Sequence, residues 1–67
     1  MKIFGERLKE LKEEKHISTK QLAEILGVNR STIVRWESNQ ILPSIDHLYK
    51  IAVYFGVSAD YMIGLED

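Results

Sequence analysis

Apolar residues along this chain recur at intervals of three and four, and nowhere do they alternate with polar ones for long enough to suggest a strand, so the pattern predicts helices. Phe4, Leu8 and Leu11 stand at i, i+4 and i+7 with Ile3 beside them, while Glu6, Arg7, Lys9, Glu10, Glu13 and Glu14 fill the other faces. A first helix from about Ile3 to Lys15 follows. Ser18-Thr19-Lys20-Gln21 has the form S-x-x-Q, in which the serine hydroxyl accepts from an exposed N–H and the Gln21 side chain reaches back to the cap residue. A second helix of about eight residues starts there, with Leu22, Ala23, Ile25 and Leu26 as its apolar side, Ile17 as a staple and Gly27 as its left-handed stop.

Asn29 is placed to cap a third helix in which Ile33 and Trp36 share one face, leaving Arg30, Ser31, Val34 and Arg35 on others. Asn39, which tolerates a left-handed conformation, ends it, and Pro43 forbids continuation. Ser44 caps a fourth helix whose Leu48, Ile51, Ala52 and Phe55 follow i, i+3, i+4, i+7 until Gly56. Ser58 caps a last short helix containing Tyr61, Met62 and Leu65. The expected architecture is all-α, a compact five-helix bundle forming a single domain over residues 1–67.

Length narrows the function. A chain of 67 residues buries only about 60% of the surface its unfolded form exposes, which leaves little volume for a deep, water-excluded catalytic pocket. No enzyme and no small-molecule effector site is expected. The chain has no Cys, which removes disulfides, thiolate zinc sites and Cys nucleophiles. Its longest apolar runs, such as Ile51 to Phe55, fall far short of the roughly 20 residues that cross a bilayer, so no transmembrane segment or signal peptide is expected and a cytoplasmic location is.

The formal net charge is -1, but its distribution is uneven. Residues 1–40 hold eight Lys/Arg against six Asp/Glu, a surplus of two cations, whereas residues 41–67 hold one against four. This asymmetry permits one basic face without requiring it.

Helix 2, the connection Gly27-Val28-Asn29 and helix 3 make two short helices joined by a tight Gly-containing turn, a helix-turn-helix over about residues 18–39. Ala23, four residues before Gly27, lets the two helices approach, and Val28 and Ile33 are placed to close the angle between them. Together with the charged first helix, the stretch STKQLAEILGVNRSTIVRWESNQILPS and the closing IAVYFGVSADYMIGLED, this resembles the XRE/Cro/C1-type helix-turn-helix family of phage and bacterial repressors, and the resemblance covers nearly the whole chain. It implies a lambda-repressor-like DNA-binding domain in which helix 3 lies in the major groove and the start of helix 2 meets the phosphate backbone.

Carried over residue by residue, the resemblance assigns base reading to Arg30, Ser31 and Arg35, with Val34 close by. It assigns backbone contact to Ser18, Thr19, Lys20, Asn29, Thr32, Asn39 and Gln40. Three positions depart from the family pattern: Thr19 stands where Gln is common, and His16 and Asn39 stand where Gly is. His and Asn enter left-handed conformations readily, so both turns are expected to survive. The shorter Thr19 weakens the expectation of its own phosphate contact.

The chemistry of recognition stands apart from the family. A helix fits the major groove, an Arg fork matches guanine O6 and N7 together, and a methyl-bearing side chain such as Thr32 or Val34 can touch a thymine methyl. Trp36, on the face of Ile33, reads as core and not as a base-stacking platform. Glu37 is expected, from the family, to pair internally with Lys12. His16 and His47 are too few and too far apart for a metal site, and Ser44, Asp46 and His47 are expected to point apart and not to form a triad.

Two function classes remain. One is a sequence-specific double-stranded DNA-binding transcriptional regulator, in its simplest form a repressor acting as a homodimer, with dimer contacts from Met62, Ile63 and Leu65. The other is a protein-interaction module, an antitoxin or antirepressor-like partner on the same fold. The polar, basic outer face of helix 3 favours the first, since a protein-binding helix would show an exposed apolar stripe there.

Overall fold

A computed structural model describes residues 3–66; residues 1, 2 and 67 of the expected domain lie outside it. Five helices follow one another, with no strand among the described residues: α1 (Ile3–Glu14), α2 (Thr19–Leu26), α3 (Arg30–Glu37), α4 (Ile45–Phe55) and α5 (Ala59–Ile63). Each boundary has a local cause. His16 turns left-handed at φ 56° and closes α1 at Glu14, one residue before the expected end. Gly27 at φ 71° closes α2, Gly56 at φ 69° closes α4, and Asn39 at φ 63° reverses the chain after α3.

The capping box at α2 is complete: Ser18 Oγ accepts from Gln21 N–H at 3.0 Å, and Gln21 Oε1 accepts from Ser18 N–H at 2.8 Å. Ser44 and Ser58 cap α4 and α5 by accepting from His47 N–H and Tyr61 N–H. Gly64 at φ 87° stops α5 after Ile63, so Leu65 lies beyond the helix expected to contain it.

The core draws on every helix. Phe4, Leu8, Leu22, Ile33, Trp36, Ile51 and Met62 are wholly buried. Phe4 meets Trp36 edge to face, with ring centroids 6.3 Å apart, so Trp36 is core as its spacing with Ile33 predicts. Ile25 departs from expectation: at 46% exposed it lies on the outer side of α2, because Leu22, Ala23 and Leu26 already fill the face toward α3. Gly5 supplies a contact that periodicity does not mark. A Cβ at this position would lie 2.6 Å from the Trp36 carbonyl oxygen, so only Gly lets α1 pack against the end of α3.

Polar ties fix the helices around that core. Lys12 Nζ donates to Glu37 Oε1 at 3.1 Å and to Thr19 Oγ1 at 2.9 Å, joining α1, α2 and α3 at one point. Glu37 Oε2 is 2.9 Å from the same ammonium, close enough for charge attraction, but it accepts no hydrogen bond. At the other end of α1, Arg7 lies 4.0 Å from the Tyr61 ring centroid and donates to the carbonyls of Tyr61 and Glu66, both at 2.8 Å. The C-terminal segment is thereby held against α1.

Candidate nucleic-acid interface

The turn between α2 and α3 is built by backbone hydrogen bonds. Val28 N–H donates to Ala23 O at 3.0 Å and Gly27 N–H to Glu24 O at 3.3 Å, which reverses the chain within three residues. Val28 packs on the core, Ala23 is buried at the crossing, and α3 is fixed against α2 by Ile33.

With Ile33 and Trp36 turned inward, α3 and its C-cap Ser38 present Arg30, Ser31, Val34, Arg35 and Ser38 to solvent. On a helix turning about 100° per residue these five share an arc of about 140°, one continuous face. Its charge has a structural origin. Glu37, the one acid of α3, is held against Lys12 in the interior, and neither Arg30 nor Arg35 has a carboxylate within 4.0 Å among the described residues. The outer face therefore carries two unpaired guanidinium groups and no anion, while the whole chain is slightly acidic. Two planar donor forks, a hydroxyl and a valine side chain on a helix narrow enough for a major groove can donate bidentately to guanine and touch a thymine methyl.

The residues expected at the backbone fall into two groups. Ser18, Lys20, Asn29 and Gln40 are exposed at the start of α2, the start of α3 and the loop after it. The Ser18 hydroxyl accepts in its cap but keeps a proton to donate outward. Asn29 occupies the N-cap of α3, yet its side chain makes no capping bond there, so its carboxamide is uncommitted. Thr19, Thr32 and Asn39 are half-buried.

Asn39 differs most from expectation. Its Oδ1 accepts from Gly5 N–H at 3.1 Å, so the carboxamide oxygen belongs to the α1–α3 junction and only its NH2 remains for an outside partner. Thr19 likewise directs its oxygen to Lys12, leaving one hydroxyl proton.

Met62 does not lie at a surface contact. It is 0% exposed, enclosed by the core, so of the three apolar residues expected to meet a second chain only half-buried Ile63 and exposed Leu65 present surface. Ser44 and His47, expected to point apart, come together with Oγ 3.0 Å from Nδ1. The contact is part of a helix cap, since the same Oγ accepts from His47 N–H. Among the described residues no enclosed pocket and no cluster of potential metal ligands is present, and no helix is long and apolar enough to cross a membrane.

The junction that sequence spacing missed, Gly5 with Asn39, had a faint signal: a Gly inside an otherwise strong helical pattern. Its partner could not be read, because 34 residues separate the two.

Comparison with known proteins places these features in a group. A family model described as a helix-turn-helix domain matches residues 5–67. The chain is 36% identical over 64 residues to the HTH-type transcriptional activator BcrR of Enterococcus faecalis, covering 96% of this chain and 31% of that protein. It thus spans less than a third of that relative's length. Among solved structures, the N-terminal DNA-binding domain of SinR from Bacillus subtilis superposes with a TM-score of 0.84 at 32% identity, covering all of this chain and 96% of that one. SinR in complex with DNA gives a TM-score of 0.80 at 34% identity over 90% of this chain and 97% of that one. The P22 c2 repressor bound to a synthetic operator shares the fold, with a TM-score of 0.85 at 24% identity over 92% and 94% of the two chains.

Proposed function

The chain belongs to the helix-turn-helix domain family, of the XRE/Cro/C1 repressor type, and from that membership we propose that it recognises double-stranded DNA by sequence, as a homodimeric transcriptional repressor on an inverted-repeat operator. The observation that carries the proposal is the solvent face of α3. Arg30 and Arg35 are unpaired, Ser31 and Val34 lie between them on the same arc, and Glu37 is withdrawn into its bond with Lys12. Inserted in a major groove, that face meets base edges with Arg30, Ser31, Val34 and Arg35. Phosphates fall to Ser18, Lys20, Asn29 and Gln40, with lesser shares for Thr19, Thr32 and the NH2 of Asn39.

Size argues for two copies. The Cα trace spans 28 × 23 × 20 Å and carries a single α3, whereas successive major grooves on one side of B-DNA lie roughly 34 Å apart. One chain reads one half-site. A dimer doubles the reading surface, and two-fold symmetry of the protein then requires an inverted repeat in the operator. Bound over a promoter, such a dimer represses by occlusion.

Selection of bound duplexes from a random library tests the proposal. The expected product is an inverted repeat with half-site centres about 10 base pairs apart, or a multiple of one turn. Enrichment of no motif, with equal affinity for all duplexes, would refute sequence-specific recognition.

A further inference from the structure

The apolar surface of helix α4 is wider than the part the core covers. Ile51 and Ala52 are buried, with Leu48 and Phe55 half-buried beside them. Beside that core face, about 110° round the helix from it, Ile45, Tyr49 and Val53 stand at i, i+4 and i+8 and are 84%, 68% and 62% exposed. These three form one row along the whole helix, and exposed Ile41 and Leu42 in the preceding linker add to the apolar surface. A continuous apolar row of this length, bordered by charge, marks an interaction surface more often than a solvated one.

We propose that this face binds a second copy of the chain, with the two α4 helices packed antiparallel across a two-fold axis at Tyr49. The proposal rests on the homodimer reading above and names where the two chains meet. The register follows from the row itself. Reversing the helix about Tyr49 sets Tyr49 against its own copy, Ile45 against the partner's Val53, and Val53 against the partner's Ile45. The apolar row is therefore self-complementary, as a two-fold contact requires.

The charged border selects the occupant and its direction. Asp46 and Lys50 lie on the same flank of the row, one turn apart. In an antiparallel pair each flank faces its own copy, so Asp46 of one chain comes opposite Lys50 of the other, twice. The axial offset is about 3 Å, the rise of two helical residues, well within the reach of a lysine. In a parallel pair the charged flank would instead face the side on which Leu48 and Ala52 already pack against their own core, so neither Asp46 nor Lys50 would meet the opposite charge on the other chain. Within their own helix Asp46 and Lys50 are spaced for an i, i+4 pair but lie more than 4.0 Å apart, which leaves both charges available.

Sedimentation equilibrium of the 67-residue chain, alone and with its selected duplex, tests the arrangement. Tyr49→Asp should weaken self-association by about 100-fold or more, as for a central aromatic anchor, while the helical circular dichroism persists because the residue is exposed. Asp46→Lys and Lys50→Asp should each weaken it by about tenfold, and the two together should restore it. A double exchange that fails to restore association overturns the register. A dimer indifferent to all of these but dissociated by Leu65→Asp would place the contact at the C-terminal segment, overturning the α4 assignment and leaving the homodimer intact. A wild-type chain that stays monomeric and binds its duplex 1:1 would remove both.

Discussion

The side-chain oxygen of Asn39 accepts a hydrogen bond from the backbone N–H of Gly5 at 3.1 Å, joining the first turn of α1 to the residue that ends α3. The bond satisfies one of the N–H groups that every helix leaves unpaired at its start. It also fixes the C-terminal end of the helix that carries Arg35. Two unusual residues thus depend on each other: a Gly inside a helix, and a left-handed Asn at φ 63° whose side chain reaches the space that a Cβ on residue 5 would fill.

Gly5→Ala is accordingly expected to destabilise the fold although Ala is the better helix former. The new methyl would stand 2.6 Å from Trp36 O and Asn39 Oδ1 and 2.7 Å from Glu37 O, all inside the closest approach that packed atoms tolerate. A loss of about 1 to 3 kcal/mol, typical of overpacking, should lower Tm by about 4 to 8 °C per kcal/mol in a domain of this size. An unchanged melt would show that α1 can shift freely against α3.

At position 39 the order of stabilities should be Asn above Gly above Ala. Gly removes the bond to Gly5 but has no penalty at positive φ, whereas Ala loses the bond and adds about 1 kcal/mol or more of left-handed strain. Thermal melts of Asn39→Gly and Asn39→Ala check the ranking; Ala at or above Gly would contradict it.

The Lys12–Glu37 pair should behave as a matched unit. With side chains only 14% and 13% exposed, removal of Lys12 alone leaves a carboxylate with little water. Lys12→Met is therefore expected to cost about 2 to 4 kcal/mol, somewhat less than breaking a fully buried pair, and the double substitution Lys12→Met with Glu37→Leu considerably less. A double-mutant cycle by chemical denaturation measures the coupling, and strictly additive losses would show the pair to be inert.

Trp36→Ala should cost about 3 to 5 kcal/mol, which approaches the whole stability of so small a domain, whereas Trp36→Phe should keep the fold and its contact with Phe4. Circular dichroism during a thermal scan distinguishes them. A fully folded Trp36→Ala protein that had lost only DNA binding would move Trp36 from the core to the interface.

Arg35 and Lys20 should separate base from backbone contact. Arg35→Ala is expected to lose about 1 to 3 kcal/mol on the selected duplex and to flatten preference at one base pair of each half-site. Lys20→Ala should weaken selected and scrambled duplexes alike and reduce the salt dependence by about one ion per subunit. If Arg35→Ala instead behaved as Lys20→Ala is expected to, base reading would pass to Arg30 and Ser31.

The sequence by itself determined what neighbouring residues decide. Helix starts at Ser18, Ser44 and Ser58, stops at Gly27 and Gly56, and the left-handed turns at His16 and Asn39 all depend on side chains within a few residues of the backbone groups they serve. The i, i+3, i+4 spacing likewise turned Ile33 and Trp36 inward and left Arg30, Ser31, Val34 and Arg35 facing out, so the solvent face of α3 was legible in the sequence.

Tertiary structure decided which of several apolar or polar residues gained a distant partner. Met62 and Leu65 look alike in sequence, but packing encloses the first and Gly64 turns the second away. Asn39 keeps only its NH2 for an outside partner because its oxygen meets Gly5, 34 residues away, and no local pattern around Gly5 names that partner. In α4 the spacing of Leu48, Ile51, Ala52 and Phe55 marks the face that packs on the core, and only the structure shows that the adjoining row of Ile45, Tyr49 and Val53 is left uncovered. Local spacing fixes which residues share a face. Which face is buried depends on the helices it meets, and those contacts are set by the closed shape of the whole core.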